Sequence, residues 1–167
     1  MDLAWGDCMR LHLLGLVLLL PGCVEDDKGD DAGDFEQSDL ELELHELVNG
    51  HREDIGLEPL SLVGEFSAIA RVHSEDMGAG DVDFGHDGFD NRAAEMADYD
   101  DGLMAAGENV AWVSAGWDDP AGAMFEGWLD SPGHRENIEG DWNQTGMGTS
   151  EDGEGGWYAT QLFALVP

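Results

Sequence analysis

Lysine is almost absent from this chain. Of its 167 residues one is lysine, Lys28, and its 6 basic residues face 38 acidic ones, for a formal net charge of −32. That shortage excludes whole classes of partner. Nucleic acid binding needs cations to displace the counterions of the phosphates, so no nucleic acid partner is expected. Anionic lipid head groups are repelled for the same reason. Self-repulsion keeps such a chain soluble, and the fold should gain stability in salt, where the repulsion is screened.

Cysteine is the second shortage. There are two, Cys8 and Cys23, and both precede the part that folds. The domain therefore has no disulfide and relies on its apolar core. Long apolar runs are lacking too. Residues 11–20 read Leu-His-Leu-Leu-Gly-Leu-Val-Leu-Leu-Leu, too short for a membrane-spanning helix of about 20 residues. With Arg10 in front, the run has the form of a signal-peptide apolar region. The segment Leu20-Pro21-Gly22-Cys23 resembles the lipobox of bacterial lipoproteins, in which the Cys is lipidated and becomes the first mature residue. Asp2 and Asp7 are out of place ahead of Arg10, and a start at Met9 would leave a compact lipoprotein signal. Residues 1–22 are thus read as a signal peptide and Cys23 as the lipidation site. Membrane contact is expected only through that anchor. Val24 after the Cys implies the outer membrane or cell surface rather than inner-membrane retention. Residues 23–38, acidic and nearly free of apolar side chains, are read as a disordered tether.

What remains, 39–167, is long enough for one domain with a core, and a monomer is expected. Ser38-Asp39-Leu40-Glu41 forms a capping box ahead of Leu40, Leu44, Leu47 and Val48, which predicts a helix over 39–54. Leu62, Phe66, Ile69, Ala70, His73 and Met77 predict a second over 62–77, with His73 as a hydrogen-bonded core residue. A short helix follows over 90–97. The Val- and Trp-rich alternation at 108–114 reads as a strand. Asp119-Pro120 starts a helix running to about Leu129, and Ser131-Pro132 starts a further short turn. Strands at 144–150 and 156–165 flank a hairpin turn at 151–155. The order suggests α+β: an antiparallel sheet with helices packed against it.

Four stretches put polar residues where a core pattern would not. They are Phe84-Gly85-His86-Asp87-Gly88, Gly107-Glu108-Asn109-Val110-Ala111, the run from Trp128 through Asp130-Ser131-Pro132-Gly133-His134-Arg135 to Asn137-Ile138, and Tyr158-Ala159-Thr160-Gln161-Leu162-Phe163. Together with Asn49-x-x-Arg52 and Ala70-x-x-His73-Ser74-x-Asp76-Met77 they resemble the CAP superfamily, the cysteine-rich secretory, antigen 5 and pathogenesis-related proteins, in its bacterial branch (the SCP-like domain). The resemblance covers about 39–165. It implies a three-layer α-β-α sandwich with a central antiparallel sheet, and a cleft holding two His and two acids. His86 and His134 match the two His and Glu108 the first acid. Ser131 stands where the second acid belongs, and Asp130 is the nearest carboxylate.

Two imidazoles and a carboxylate converging in a cleft can hold a divalent cation such as zinc. They can do acid–base work near neutral pH. They can also be a hydrogen-bond network that ties loops to the sheet. All three readings stay open on the sequence, and the rings are expected within roughly 4–7 Å if one ion is to bridge them. The aspartates between Asp81 and Asp90 do not follow the ligand spacing of a calcium loop. No Gly-x-Ser-x-Gly elbow marks Ser131 as a nucleophile. The resemblance implies a surface-tethered module binding a small ligand, a lipid or a peptide, or else a metal-assisted, protease-like hydrolase using the same cleft.

Overall fold

A computed structural model describes residues 35–167. The signal segment 1–22, the alternative start at Met9, Cys23 and the tether as far as residue 34 lie outside the described residues. The last four residues assigned to the tether do not behave as one. Phe35 lies under the Arg71 guanidinium at 4.1 Å, Arg71 also donates to the Glu36 carbonyl, and Ser38 caps the first helix. A cation stacked on an aromatic face is favourable even near solvent.

The first helix, α1 (Asp39–Asp54), begins at the expected capping box, with the Ser38 amide donating to the Glu41 carboxylate at 2.8 Å. Strand β1 (Ser61–Leu62) was not legible in the sequence. It takes Leu62, the first residue assigned to the second helix, and Val63 is the N-cap, so α2 starts later and spans Gly64–Ala79. Gly80, at φ +76, ends it in the left-handed conformation. Then come α3 (Phe89–Tyr99), β2 (Ala105–Val113), α4 (Pro120–Asp130), α5 (Pro132–Ile138), β3 (Gln144–Glu151) and β4 (Trp157–Leu165). In the turn before β4 the Asp152 carboxylate accepts from the amides of Glu154 and Gly156, both at 2.8 Å.

The sheet order is β1-β3-β4-β2. The three long strands are antiparallel, as expected, but β1 pairs parallel with β3, so the sheet is mixed. Along β4 the side chains alternate between two cores. Leu162 and Ala164 pack with Phe66 and Ala70 of α2 and Met96 of α3. Phe163 and Ala159 pack on the other face with Leu44 and Val48 of α1, Met124 and Trp128 of α4 and Ile138 of α5. Helices on both faces of one sheet make the three-layer α-β-α sandwich.

Sheet edges need cover, because unpaired strand groups invite aggregation. Beyond the short β1, the β3 edge is covered from the helices. Met147 N donates to the Ser67 hydroxyl, and Thr149 N donates to the buried Glu41 carboxylate, which Arg71 also pairs. On β2, the opposite edge, Trp128 Nε1 donates to the Val110 carbonyl and Asn137 Nδ2 to the Glu108 carbonyl. Two members of the Trp-to-Asn motif thus cap a strand edge, and the third, His134, lies between them in sequence.

Candidate functional site

The β2 edge is where the expected site residues meet. Glu108 points to the α2–α3 face, opposite Leu162 in the register, and is buried. His86 comes from the loop between α2 and α3. Its Nδ1 lies 2.9 Å from Glu108 Oε1. His134 comes from α5 on the other side, and the two imidazole centroids are 5.7 Å apart. Asn109, the residue after Glu108, fixes that approach. Its Nδ2 donates to the His134 carbonyl at 3.1 Å, and its Oδ1 accepts from Asn137 at 2.9 Å. Gly107 completes the local logic, since a Cβ there would stand 3.1 Å from the Trp142 ring.

Arg92 joins the site without belonging to any of the motifs. Its Nε donates to Glu108 Oε2 at 2.6 Å and its Nη2 to Oε1 at 2.8 Å. Both oxygens of the Glu108 carboxylate thus accept from one guanidinium in a forked pair. An ionised carboxylate only accepts hydrogen bonds, so neutral His86 carries its proton on Nδ1 and presents a bare Nε2. A signal was available. In a chain this poor in cations, an arginine among acids in Asp90-Asn91-Arg92 had to be paired with something.

The same pairing decides how a metal would fit. Both Glu108 oxygens are engaged by Arg92 and one also by His86. Among the described residues no three His, Cys, Asp or Glu side chains are grouped to hold a metal ion. That leaves two neighbouring imidazole rings without the Glu108 carboxylate as a third ligand, so the His86–Glu108–His134 set does not fit the three-ligand zinc site expected.

Ser131 and Asp130 part company. Ser131 lines a cavity of about 220 Å³ beside His134, together with Val110, Trp112, Met124 and Trp128. Asp130 is exposed and does not line it. The Ser131 hydroxyl caps neither adjoining helix. Of the tryptophans, Trp128 is fully buried, whereas Trp112 and Trp117 are exposed rather than core.

A family model of the cysteine-rich secretory protein family, CAP, matches residues 45–163. The chain belongs to the CAP family. No curated protein matches it. Solved structures agree on the fold of this CAP domain. An outer surface protein of Borrelia burgdorferi is 18% identical at a TM-score of 0.64, over 79% of this chain and 98% of that one. An extracellular SCP-domain protein of Bacillus anthracis is 28% identical at 0.60, over 75% of this chain and 40% of its own. A cysteine-rich secretory protein of Staphylococcus aureus is 20% identical at 0.55, over 75% and 38%. This CAP domain thus spans well under half of those last two proteins.

Burial lowers the pKa of His134, and the neighbouring His86 lowers it further. Burial also lowers that of His73, partly offset by its bond to Gly85. With folded values below the unfolded one, the unfolded chain binds protons that the fold does not once the pH drops below about 6.5. Both histidines therefore remove stability on acidification toward their folded values. Urea unfolding from pH 7.5 to 5 should show a smaller acid loss in His73→Gln than in the wild type. Parallel curves would mean that His73 does not contribute.

Proposed function

We propose that this chain is an exported CAP-domain module that binds a small ligand in the cleft between His86 and His134. One observation carries the reading. Arg92 and Glu108 form a buried ion pair whose outward result is a single imidazole with a fixed tautomer. Removing two charges from water costs several kcal/mol per ion before their attraction is counted, so such a pair is a weak source of stability. It is well suited to fixing the His86 ring, held through Nδ1, beside a neutral His134. The cavity beside His134 supplies a seat for a small group, with Trp112 and Met124 in its wall. Neighbours described as an outer surface and an extracellular protein support export. The lipobox-like Cys23 supports an envelope anchor. Cys23→Ser should move the protein from the detergent phase to the aqueous phase, and unchanged partitioning would rule the anchor out.

The binding test is native mass spectrometry of the protein isolated from its own host. A retained mass that is lost in both His86→Ala and His134→Ala is expected. Retention unaffected by either substitution would end this reading. A carboxylate-supported imidazole is also the arrangement of a general base, which favours hydrolysis by an activated water as the second reading. Turnover of a mixed peptide library, abolished by His86→Ala as well as by His134→Ala, would select it.

A further inference from the structure

His86 is poorly held by packing. Its side chain is 49% exposed, and it lies between two glycines at positive φ, Gly85 at +152 and Gly88 at +81. Glycine visits such conformations at little steric cost, and an unpinned backbone gains conformational entropy. Something other than burial must fix the segment.

Three consecutive carbonyls do so. Gly85 O lies 2.9 Å from His73 Nε2. His86 O accepts from Arg92 Nη2 at 3.4 Å and from the Phe89 amide at 3.0 Å. Asp87 O accepts from Arg92 Nη1 at 3.0 Å. The two side-chain donors are buried, His73 on α2 and Arg92 on α3. A carbonyl can only accept, so His73 carries its proton on Nε2.

We infer that His73 and Arg92 are positioning residues for His86. They clamp the 85–87 backbone from two helices so that Nδ1 of His86 stays on Glu108 and its ring stays beside His134. Arg92 acts twice, on the loop and on the carboxylate. Among the described residues the hydrogen bond of His73 goes to the Gly85 carbonyl and to neither His86 nor Glu108, which makes it the sharper test. The inference rests on the reading of the cleft as a site centred on His86.

The experiment is long-range nitrogen–proton NMR of the histidine rings in the full-length chain at pH 7.5. Wild type should show His86 as the Nδ1–H tautomer alone, with the His73 Nε2 proton visible and slow to exchange. His73→Phe removes the donor at similar volume. It should convert His86 to a tautomer mixture dominated by Nε2–H, while His73→Gln, whose amide can still donate, should restore Nδ1–H. Arg92→Lys should also lose the single tautomer, because one ammonium cannot bridge Glu108 and the Asp87 carbonyl together. A folded His73→Phe with the wild-type tautomer overturns the inference. So does a His73 ring proton that exchanges freely in the wild type, a result that depends on no variant folding. These readouts need no ligand, so a failure of the binding proposal would appear separately, as a retained mass indifferent to His86.

Discussion

Gly148→Ala should destabilise this protein by more than about 3 kcal/mol, beyond the usual range for one added methyl group. The reason is a contact between backbones. A Cβ at Gly148 would stand 2.0 Å from the Arg71 amide nitrogen and 2.3 Å from the Ala70 carbonyl carbon. The obstacle is the main chain of α2, which cannot rotate aside as a side chain can. Gly146 makes the same demand one step along the face, 2.3 Å from the Phe66 carbonyl carbon. Together the two glycines let α2 lie directly on β3, where the Ser74 hydroxyl reaches the Gly148 carbonyl at 2.9 Å and Thr160 at 2.9 Å. Adding a methyl group must lift the helix, and lifting it breaks those bonds and opens the Phe66 core.

The control is a glycine with room. Gly127 in α4 has nothing within 4 Å of its would-be Cβ, and alanine is favoured over glycine inside a helix by about 1 kcal/mol. Gly127→Ala should therefore be neutral or slightly stabilising. Urea unfolding of both variants beside the wild type is the measurement. A cost below about 1 kcal/mol for Gly148→Ala would mean that α2 and β3 are not packed backbone to backbone.

Such contacts mark the boundary of what was legible in the sequence. Gly146 and Gly148 read only as residues of a strand, because nothing in one sequence says which helix will lie on them. Periodicity placed α1, α4 and the two final strands to within a residue or so, since each has a local pattern and a local stop signal. Strand β1 is two residues long and pairs with a segment more than 80 positions away, so no local pattern announced it. The same split holds at the site. His86, Glu108 and His134 were legible because each stands in a glycine-flanked motif of a family whose cleft they match. Arg92 and the bond from His73 to Gly85 were not, because each is a single donor whose partner is fixed only by how the helices dock. The metal set expected from the motifs, His86, Glu108 and His134, could not take account of Arg92, whose docked guanidinium occupies both Glu108 oxygens.

The other large effect should come from Arg52, which the sequence showed only as part of the Asn49-x-x-Arg52 motif. Arg52 is buried and, among the described residues, pairs with no carboxylate. Its guanidinium donates to four main-chain carbonyls: Glu58 at 3.0 Å, Ile138 at 2.7 Å, Gly140 at 2.9 Å and Trp142 at 3.3 Å. Burial pulls its pKa down, opposed by Asp141, yet arginine stays charged across any pH at which the fold survives. One side chain thereby joins the end of α1, the loop before β1 and the chain leaving α5. Ile138 is the last residue of the helix that carries His134. Arg52→Met keeps much of the apolar stem and removes every donor. Each buried acceptor left without a partner costs about 1–3 kcal/mol, and even with water reaching some of the four the loss should be roughly 3–5 kcal/mol. Arg52→Lys should recover only part of it, because three donors on one nitrogen cannot span a fan of carbonyls that the planar fork reaches. Arg135→Ala makes the comparison, since Arg135 is exposed and donates to a single carbonyl, Leu129; it should lose about 1 kcal/mol or less. Equal losses for the Arg52 and Arg135 variants would show that the four-carbonyl knot does not hold α5 in place, and that the position of His134 is set by Asn109 and Asn137 alone.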